Sequence, residues 1–194
     1  MVNRINDLGG QLQAALDKVI SQNPAIRSGV LRVEAPDFEW EGAAGFADPD
    51  QRIAMTPDAP FRSASVGKMI LAAALLTYAE DGAIQLDSPA VEYLPGRWPQ
   101  EFDTAITVRQ LINHTSGIAD YFGDGEPISG QPPFVIEMMQ APDKLWDPQE
   151  IVDWTAKHIP SRFSPGAGWH YSDTGFLLAG LIVEAAAKAP LHAA

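Results

Sequence analysis

The sequence contains no cysteine, few basic residues and no long apolar run. Without a thiol the chain can form no disulfide, no thiolate metal site and no cysteine nucleophile. Lysine and arginine number 13 against 25 aspartates and glutamates, which gives a formal net charge of -12. A surface this acidic disfavours nucleic acid and anionic membranes as partners. The apolar runs fall far short of the roughly 18 residues that span a bilayer.

Other common functional signals are also missing. The first residues carry no apolar stretch of the signal-peptide kind, so we expect a cytoplasmic protein. The four histidines are scattered without metal-ligand spacing, and no glycine-rich phosphate loop follows a strand. We therefore expect no metal and no cofactor. The length of 194 residues, with 46% hydrophobic residues, allows one ordinary domain or two small ones with a sizeable core.

Secondary structure is predicted in the order helix, two strands, then mostly helices. Apolar residues recur at three- and four-residue spacing from Ile5 to Ile20, which predicts an amphipathic helix ending near Asn23. Alternating residues then predict an antiparallel hairpin with strands over 28–34 and 38–46. Further helices are predicted over 66–81, 107–113, 149–158 and 175–188, the first and last of them buried, with a long surface excursion over 121–148.

The most informative stretch is Phe61-Arg62-Ser63-Ala64-Ser65-Val66-Gly67-Lys68, directly before a long apolar segment. In a helix, Ser65 and Lys68 would lie on one face of the first turn. A hydroxyl and an amine held together form a candidate nucleophile and its activator. The alternative is that Ser65 only caps the helix and that Lys68 is a solvated lysine. A lysine in the first turn of an apolar helix favours the first interpretation.

A second candidate base lies near the end of the chain, in Trp169-His170-Tyr171-Ser172-Asp173-Thr174-Gly175. Together with the serine and the lysine, a base in this segment suggests acyl transfer through a serine. His114 also invites a Ser-His interpretation, because it stands in Asn113-His114-Thr115-Ser116-Gly117. No Ser-His-Asp order is needed once Lys68 and Tyr171 act on Ser65, and His170 is expected to point elsewhere if Tyr171 points into the site.

Four segments in this order and spacing resemble the serine β-lactamase and penicillin-binding-protein superfamily. They cover residues 61–68, 81–89, 107–118 and 165–175. Within the superfamily the chain is most similar to the class C β-lactamase-like branch, which includes D,D-carboxypeptidases, D-aminopeptidases and β-lactamase-fold esterases. The resemblance runs from about Gly29 to the last residue.

The resemblance implies an α+β fold of the β-lactamase/transpeptidase type. An antiparallel sheet with flanking helices is expected in addition to an all-helical domain. Residues 1–60 would form the N-terminal helix and first strands of the sheet domain, and 61–194 the mostly helical domain. Family members add further strands and a Lys-Thr-Gly or His-x-Gly motif, and this sequence has no Lys-Thr-Gly. We therefore expect an incomplete sheet, completed by a C-terminal segment from elsewhere or by self-association.

The resemblance also implies roles for four residues. Ser65 corresponds to the nucleophile and Lys68 to its activator, acting either as a base or as a charge that lowers the pKa of a tyrosine. Tyr171 corresponds to the second base of a Tyr-x-Asn element, whereas the stretch over 113–117 corresponds to a structural turn after a helix. Asp173 stands where that element has asparagine. An amide can donate to a substrate carbonyl and a carboxylate cannot, so Asp173 either contacts substrate differently or caps the following helix.

The expected function is a serine hydrolase that acts through an acyl-enzyme on a small ester, amide or D-amino-acid derivative. One alternative is a D,D-carboxypeptidase or a β-lactamase. The other is an inactive or fragmentary chain that merely binds acyl ligands. The expected partner is a small-molecule substrate, without nucleic acid or membrane.

Overall fold

The computed structural model describes residues 2–193, and the chain divides into two units between Arg62 and Ser63. The first unit contains one long helix and a three-stranded antiparallel sheet, and the second is helical. The elements of the first unit are α1 (Val2–Gln22), β1 (Ser28–Ala35), β2 (Phe38–Asp48) and β3 (Ile53–Ala54). Those of the second are α2 (Gly67–Glu80), α3 (Val108–Ile112), α4 (Pro133–Gln140), α5 (Pro148–His158) and α6 (Asp173–Ala187).

The predicted helix and hairpin are present in the first unit. Strands β1 and β2 pair antiparallel across a two-residue turn, with Ser28 opposite Gly45 and Ala35 opposite Phe38. Helix α1 lies against this hairpin, and Gln13 Nε2 donates to the carbonyl oxygen of Ala43 at 2.9 Å. Strand β3 was not predicted, because two residues are too short to show any alternation of apolar and polar positions.

In the second unit, helix α6 lies at the centre of the core. Nine of its residues are buried, as its apolar sequence predicts, and α2, α3 and α5 pack against it. The core around α6 includes Leu75, Leu111, Val152 and Ile182. The predicted start of α3 is also confirmed, because Thr107 and Gln110 form a reciprocal capping box. None of the helices described within residues 2–193 has both the length and the apolar character of a membrane span.

Helix α2 is less buried than its sequence predicts. Leu75 is fully buried towards α6, but Met69 and Ile70 are 69% and 71% exposed. Val66 and Leu76 are exposed on the same side of the helix. The prediction of a helix buried all round was therefore wrong for these residues. An apolar helix without a polar stripe shows that it can be buried, but not which face has a neighbour.

The segment between residues 121 and 148 is not simply a surface excursion, because it contains helix α4. Its richness in glycine, proline and aspartate suggested a loop, but proline suits the first position of a helix, and Pro133 begins α4. Phe134 is fully buried and contacts the rings of Tyr121, Trp146 and Trp154 at centroid distances of 4.8 to 5.2 Å. This aromatic cluster fixes the segment to α5.

Replacing Phe134 with alanine is expected to lower the free energy of unfolding by about 3–5 kcal/mol, because it removes a fully buried ring and leaves a cavity. Urea denaturation followed by tryptophan fluorescence would measure the change. Met139→Ala is the matched control on the same helix, because Met139 is 67% exposed and should change stability by less than about 0.5 kcal/mol. Equal losses for the two variants would show that Phe134 does not anchor α4.

Candidate active site

Ser65 lies in a short turn at the entrance to α2. Residues Ala64–Val66 form a single 3₁₀ turn that runs directly into the helix. Ala64 has a φ of 47°, in the left-handed region that residues with a Cβ avoid. Such a conformation costs about 1–3 kcal/mol and persists only where the surrounding structure fixes it. The turn leaves Ser65 exposed.

The side chains of Ser65, Lys68, Tyr171 and Asp173 form a closed ring of polar contacts, the polar ring. Lys68 Nζ donates to Ser65 Oγ at 3.2 Å, and Ser65 Oγ lies 2.8 Å from Tyr171 Oη. Tyr171 Oη donates to Asp173 Oδ1 at 3.2 Å, and Lys68 Nζ forms an ion pair with the same oxygen. The structure therefore brings together all four residues singled out from the sequence, and all of them belong to the second unit.

Lys68 is held in its charged form within this ring. Burial of the ammonium acts to lower the pKa of Lys68, but hydrogen bonds to Asp173 and Tyr171 and the charge of Asp173 outweigh it. The pKa therefore lies above its ordinary value. The ammonium is also 5.0 Å from the ring centre of Tyr171. Of the two states considered for Lys68, the structure favours the one that stays protonated.

The backbone that carries Tyr171 is fixed by His114. The carbonyl oxygen of His114 accepts from the N–H of His170 at 2.9 Å, and its Nδ1 accepts from the N–H of Ser172 at 3.2 Å. The imidazole also lies 4.5 Å from the ring centre of Tyr171. Burial and the nearby charge of Lys68 lower the pKa of His114, which favours the neutral ring that this acceptor role needs.

Asp120 also holds the backbone of the polar ring, whereas His170 does not take part in the ring. Asp120 Oδ1 accepts from the backbone N–H of Asp173 at 2.9 Å. His170 is directed away from the polar ring, since its Nε2 contacts Asp124 Oδ2 at 2.7 Å. Ser172, not Asp173, caps α6, because Ser172 Oγ accepts from the N–H of Gly175. The suggestion that Asp173 caps this helix was therefore wrong.

A cavity of about 780 Å³ opens beside the polar ring, and its lining belongs to the second unit. Its charged lining consists of Lys68 and the carboxylates of Asp120, Asp173 and Glu184. Burial raises the pKa of Asp120 and that of Tyr121, another lining residue. The rest of the wall is mainly apolar, with side chains from Leu71, Phe122, Phe176, Leu177 and Leu181.

Asp120 and Tyr121 were not recognised from the sequence as neighbours of the site, and His114 was assigned only to a structural turn. A signal was available, because the Asn-His-Thr-Ser-Gly motif over 113–117 ends three residues before the first of the wall residues, 120–122. A structural turn accounts for the backbone of this motif, but not for the imidazole of His114 or for the wall residues that follow it. Within residues 2–193, no group of three or more His, Cys, Asp or Glu side chains is arranged to hold a metal ion.

Comparison with known sequences decides the family. The sequence model described as Beta-lactamase matches residues 16–193, which is most of the chain. The chain belongs to the Beta-lactamase family. Its fold is the β-lactamase/transpeptidase-like fold, so the fold class predicted from the four sequence segments is confirmed.

Among curated Beta-lactamase family members, the esterase EstB of Burkholderia gladioli is 29% identical over 96% of this chain and 47% of its own length. Penicillin-binding protein 4* of Bacillus subtilis is 28% identical over 81% of this chain and 32% of its own length. A D-amino acid amidase from Ochrobactrum anthropi SV3, solved with L-phenylalanine amide, superimposes with a TM-score of 0.75 at 31% identity, covering 95% of this chain and 46% of the amidase. The chain thus spans less than half the length of these relatives.

Proposed function

We propose that this chain carries the catalytic centre of a serine hydrolase that acts through an acyl-enzyme. The observation that carries the proposal is the polar ring, in which Ser65 Oγ lies within hydrogen-bond distance of both Tyr171 Oη and Lys68 Nζ. A nucleophile, a group that can take its proton and a fixed cation are the parts that serine acylation needs. Membership of the Beta-lactamase family, and relatives named as an esterase and an amidase, support it.

In the proposed reaction, Ser65 Oγ attacks the substrate carbonyl while its proton passes to Tyr171 Oη, which releases its own phenol proton in the same step. Lys68 remains an ammonium and stabilises the negative charge that develops on the serine oxygen. The backbone N–H of Ser65, at the start of the helical turn, is proposed as a donor to the oxyanion, because free N–H groups at a helix start favour negative charge.

The proposed substrates are small esters, amides and D-amino-acid derivatives. The charge of the cavity supports esters and amine-bearing substrates, because its lining holds three carboxylates and one ammonium. A substrate that carries its own carboxylate would meet this negative lining at close range. β-Lactams and peptides ending in a free D-residue are such substrates. The alternative of a D,D-carboxypeptidase or β-lactamase is supported by the likeness to penicillin-binding protein 4*, but the cavity favours the first proposal.

A short p-nitrophenyl ester is expected to be hydrolysed at least about tenfold faster than a chromogenic cephalosporin, compared as kcat/KM, since one unfavourable charge contact of about 1.4 kcal/mol already gives that factor. Both reactions release a coloured product and can be followed in the same buffer. The Ser65→Ala variant supplies the background rate for each substrate. Faster turnover of the cephalosporin would contradict the proposed substrate class.

Three further expectations about the whole protein remain proposals. The third functional alternative, an inactive chain that binds acyl ligands, predicts saturable binding of an ester without turnover. A complementing C-terminal segment or self-association is proposed to complete the three-stranded sheet of the first unit. Sedimentation of the purified chain would show self-association.

A cytoplasmic location, without nucleic-acid or membrane partners, stays a prediction that cell fractionation would test.

A further inference from the structure

We propose that Asp173 is the terminal proton acceptor of the acylation step, receiving a proton from Tyr171 as Tyr171 receives one from Ser65. The inference rests on the proposed function, because it concerns how the serine is activated. Asp173 was expected from the sequence to contact substrate or to cap α6. Its position in the polar ring instead supports a role as proton acceptor, and three observations favour this role.

The first observation is the direction of the hydrogen bonds in the polar ring. An ionised carboxylate can only accept and an ammonium can only donate. The single phenol proton of Tyr171 points to Asp173 Oδ1, so Tyr171 Oη must accept from Ser65 Oγ, 2.8 Å away. Ser65 Oγ in turn accepts from Lys68. Every bond between the serine and the carboxylate is therefore oriented to carry a proton away from Ser65.

The second observation is the state of Lys68. Its ammonium forms an ion pair with Asp173 Oδ1 and donates to Ser65 Oγ. A protonated amine has no lone pair, so it cannot receive the proton of the serine. Within the part of the chain that the structure describes, Asp173 supplies the only carboxylate oxygen hydrogen-bonded to Tyr171. The proton that Tyr171 must release therefore has one acceptor in contact with it.

The third observation is how firmly Asp173 is held. Its N–H donates to Asp120 Oδ1 at 2.9 Å. The preceding residue, Ser172, is held by two hydrogen bonds: its Oγ accepts from the N–H of Gly175, and its own N–H donates to His114 Nδ1. An asparagine at this position could accept the hydrogen bond from Tyr171, but it could not take the proton. The carboxylate at residue 173 therefore changes the chemistry of the ring as well as its contacts with substrate.

Acylation of Ser65 moves two protons. As the bond between Ser65 Oγ and the acyl carbon forms, the carbonyl π bond breaks and its electron pair moves to the carbonyl oxygen, while the serine proton moves to Tyr171 Oη and the phenol proton moves to Asp173 Oδ1. When the tetrahedral intermediate collapses, the bond to the leaving group breaks, and a proton returns from Asp173 through Tyr171 to the departing oxygen or nitrogen. An ester thus gives an acyl-serine and an alcohol. Water repeats the same transfers in deacylation, and Lys68 keeps its protons throughout.

The test replaces the acceptor with its closest neutral analogue. Asp173→Asn is expected to lower the rate of covalent modification of Ser65 by a fluorophosphonate probe by about 10²-fold or more, the usual contribution of a positioned proton acceptor. Asp153→Asn is the matched control, because Asp153 lies on α5 outside the polar ring and the cavity lining. It should react at the wild-type rate. Circular dichroism and thermal unfolding would show whether each variant is folded.

A second measurement on the wild-type chain keeps the test decisive if Asp173→Asn does not fold. The modification rate is measured in mixtures of H₂O and D₂O. Two protons that move together predict a curved dependence on the deuterium fraction, whereas one moving proton predicts a straight line. A straight line overturns the relay, whatever the variant does.

The outcomes also separate this inference from the proposed function. If the wild-type chain is modified at Ser65 and Asp173→Asn reacts as fast or faster, Asp173 is not the acceptor, and the serine hydrolase proposal stands. If the wild-type chain is not modified at Ser65, both proposals fail. Slow modification of a folded Asp173→Asn chain, with a curved wild-type dependence, supports both.

Discussion

Replacing Ser65 with alanine is expected to abolish hydrolysis of a p-nitrophenyl ester to the level of the buffer reaction. The reason is that Ser65 Oγ is the oxygen of the polar ring that is exposed beside the cavity and faces both Lys68 and Tyr171. Without it no acyl-enzyme can form, and the remaining groups have no nucleophile to activate. Initial rates at saturating ester would measure the loss.

Ser63→Ala is the matched control for this loss. Ser63 lies two residues earlier on the same exposed segment, and it is absent from both the polar ring and the cavity lining. Its removal should leave the rate within about twofold of wild type, because surface substitutions away from special features have small effects. A Ser63→Ala variant as inactive as Ser65→Ala would show that the turn, and not the hydroxyl of Ser65, controls the rate.

Lys68→Ala and Tyr171→Phe are each expected to lower the acylation rate by about 10²–10⁴-fold, and the double variant is expected to be little worse than either. The physical reason is that the two groups share the polar ring. Loss of the ammonium frees Asp173 from its ion pair, and loss of the phenol breaks the path between Ser65 and Asp173. Once one part is removed, the other has little left to contribute.

The double-mutant cycle is measured as the acylation rate under single-turnover conditions, so that deacylation does not hide the effect. Thermal unfolding of all three variants controls for loss of the folded state. Losses that multiply fully would show that Lys68 and Tyr171 act independently. That result would contradict a single proton-transfer unit.

Much of the site could be predicted because its signal is local. Ser65 and Lys68 are three residues apart at the start of an apolar helix, and this spacing alone places them side by side. The hairpin and the cap at Thr107 are likewise set by residues close together in sequence. Tyr171 was found through the resemblance, because nothing local connects it to a serine 106 positions away.

The features that could not be predicted from the sequence depend on tertiary contacts. Asp173 could not be assigned to an ion pair with Lys68, because only the packing of α2 against α6 brings their first turns together. The exposed face of α2 and the burial of Phe134 have the same origin, since a sequence shows which residues are apolar but not which neighbour covers them. His114 was undervalued because its role is exerted through the backbone on either side of Tyr171.

If Ser65 is the residue acylated by substrate, a serine-reactive probe should modify this residue and no other serine. The purified chain is treated with a fluorophosphonate probe and digested, and the modified peptide is sequenced by mass spectrometry. One adduct is expected, on Ser65, and it should disappear in Ser65→Ala and persist in Ser63→Ala. An adduct on Ser63 or on Ser116, or labelling that survives in Ser65→Ala, would contradict it.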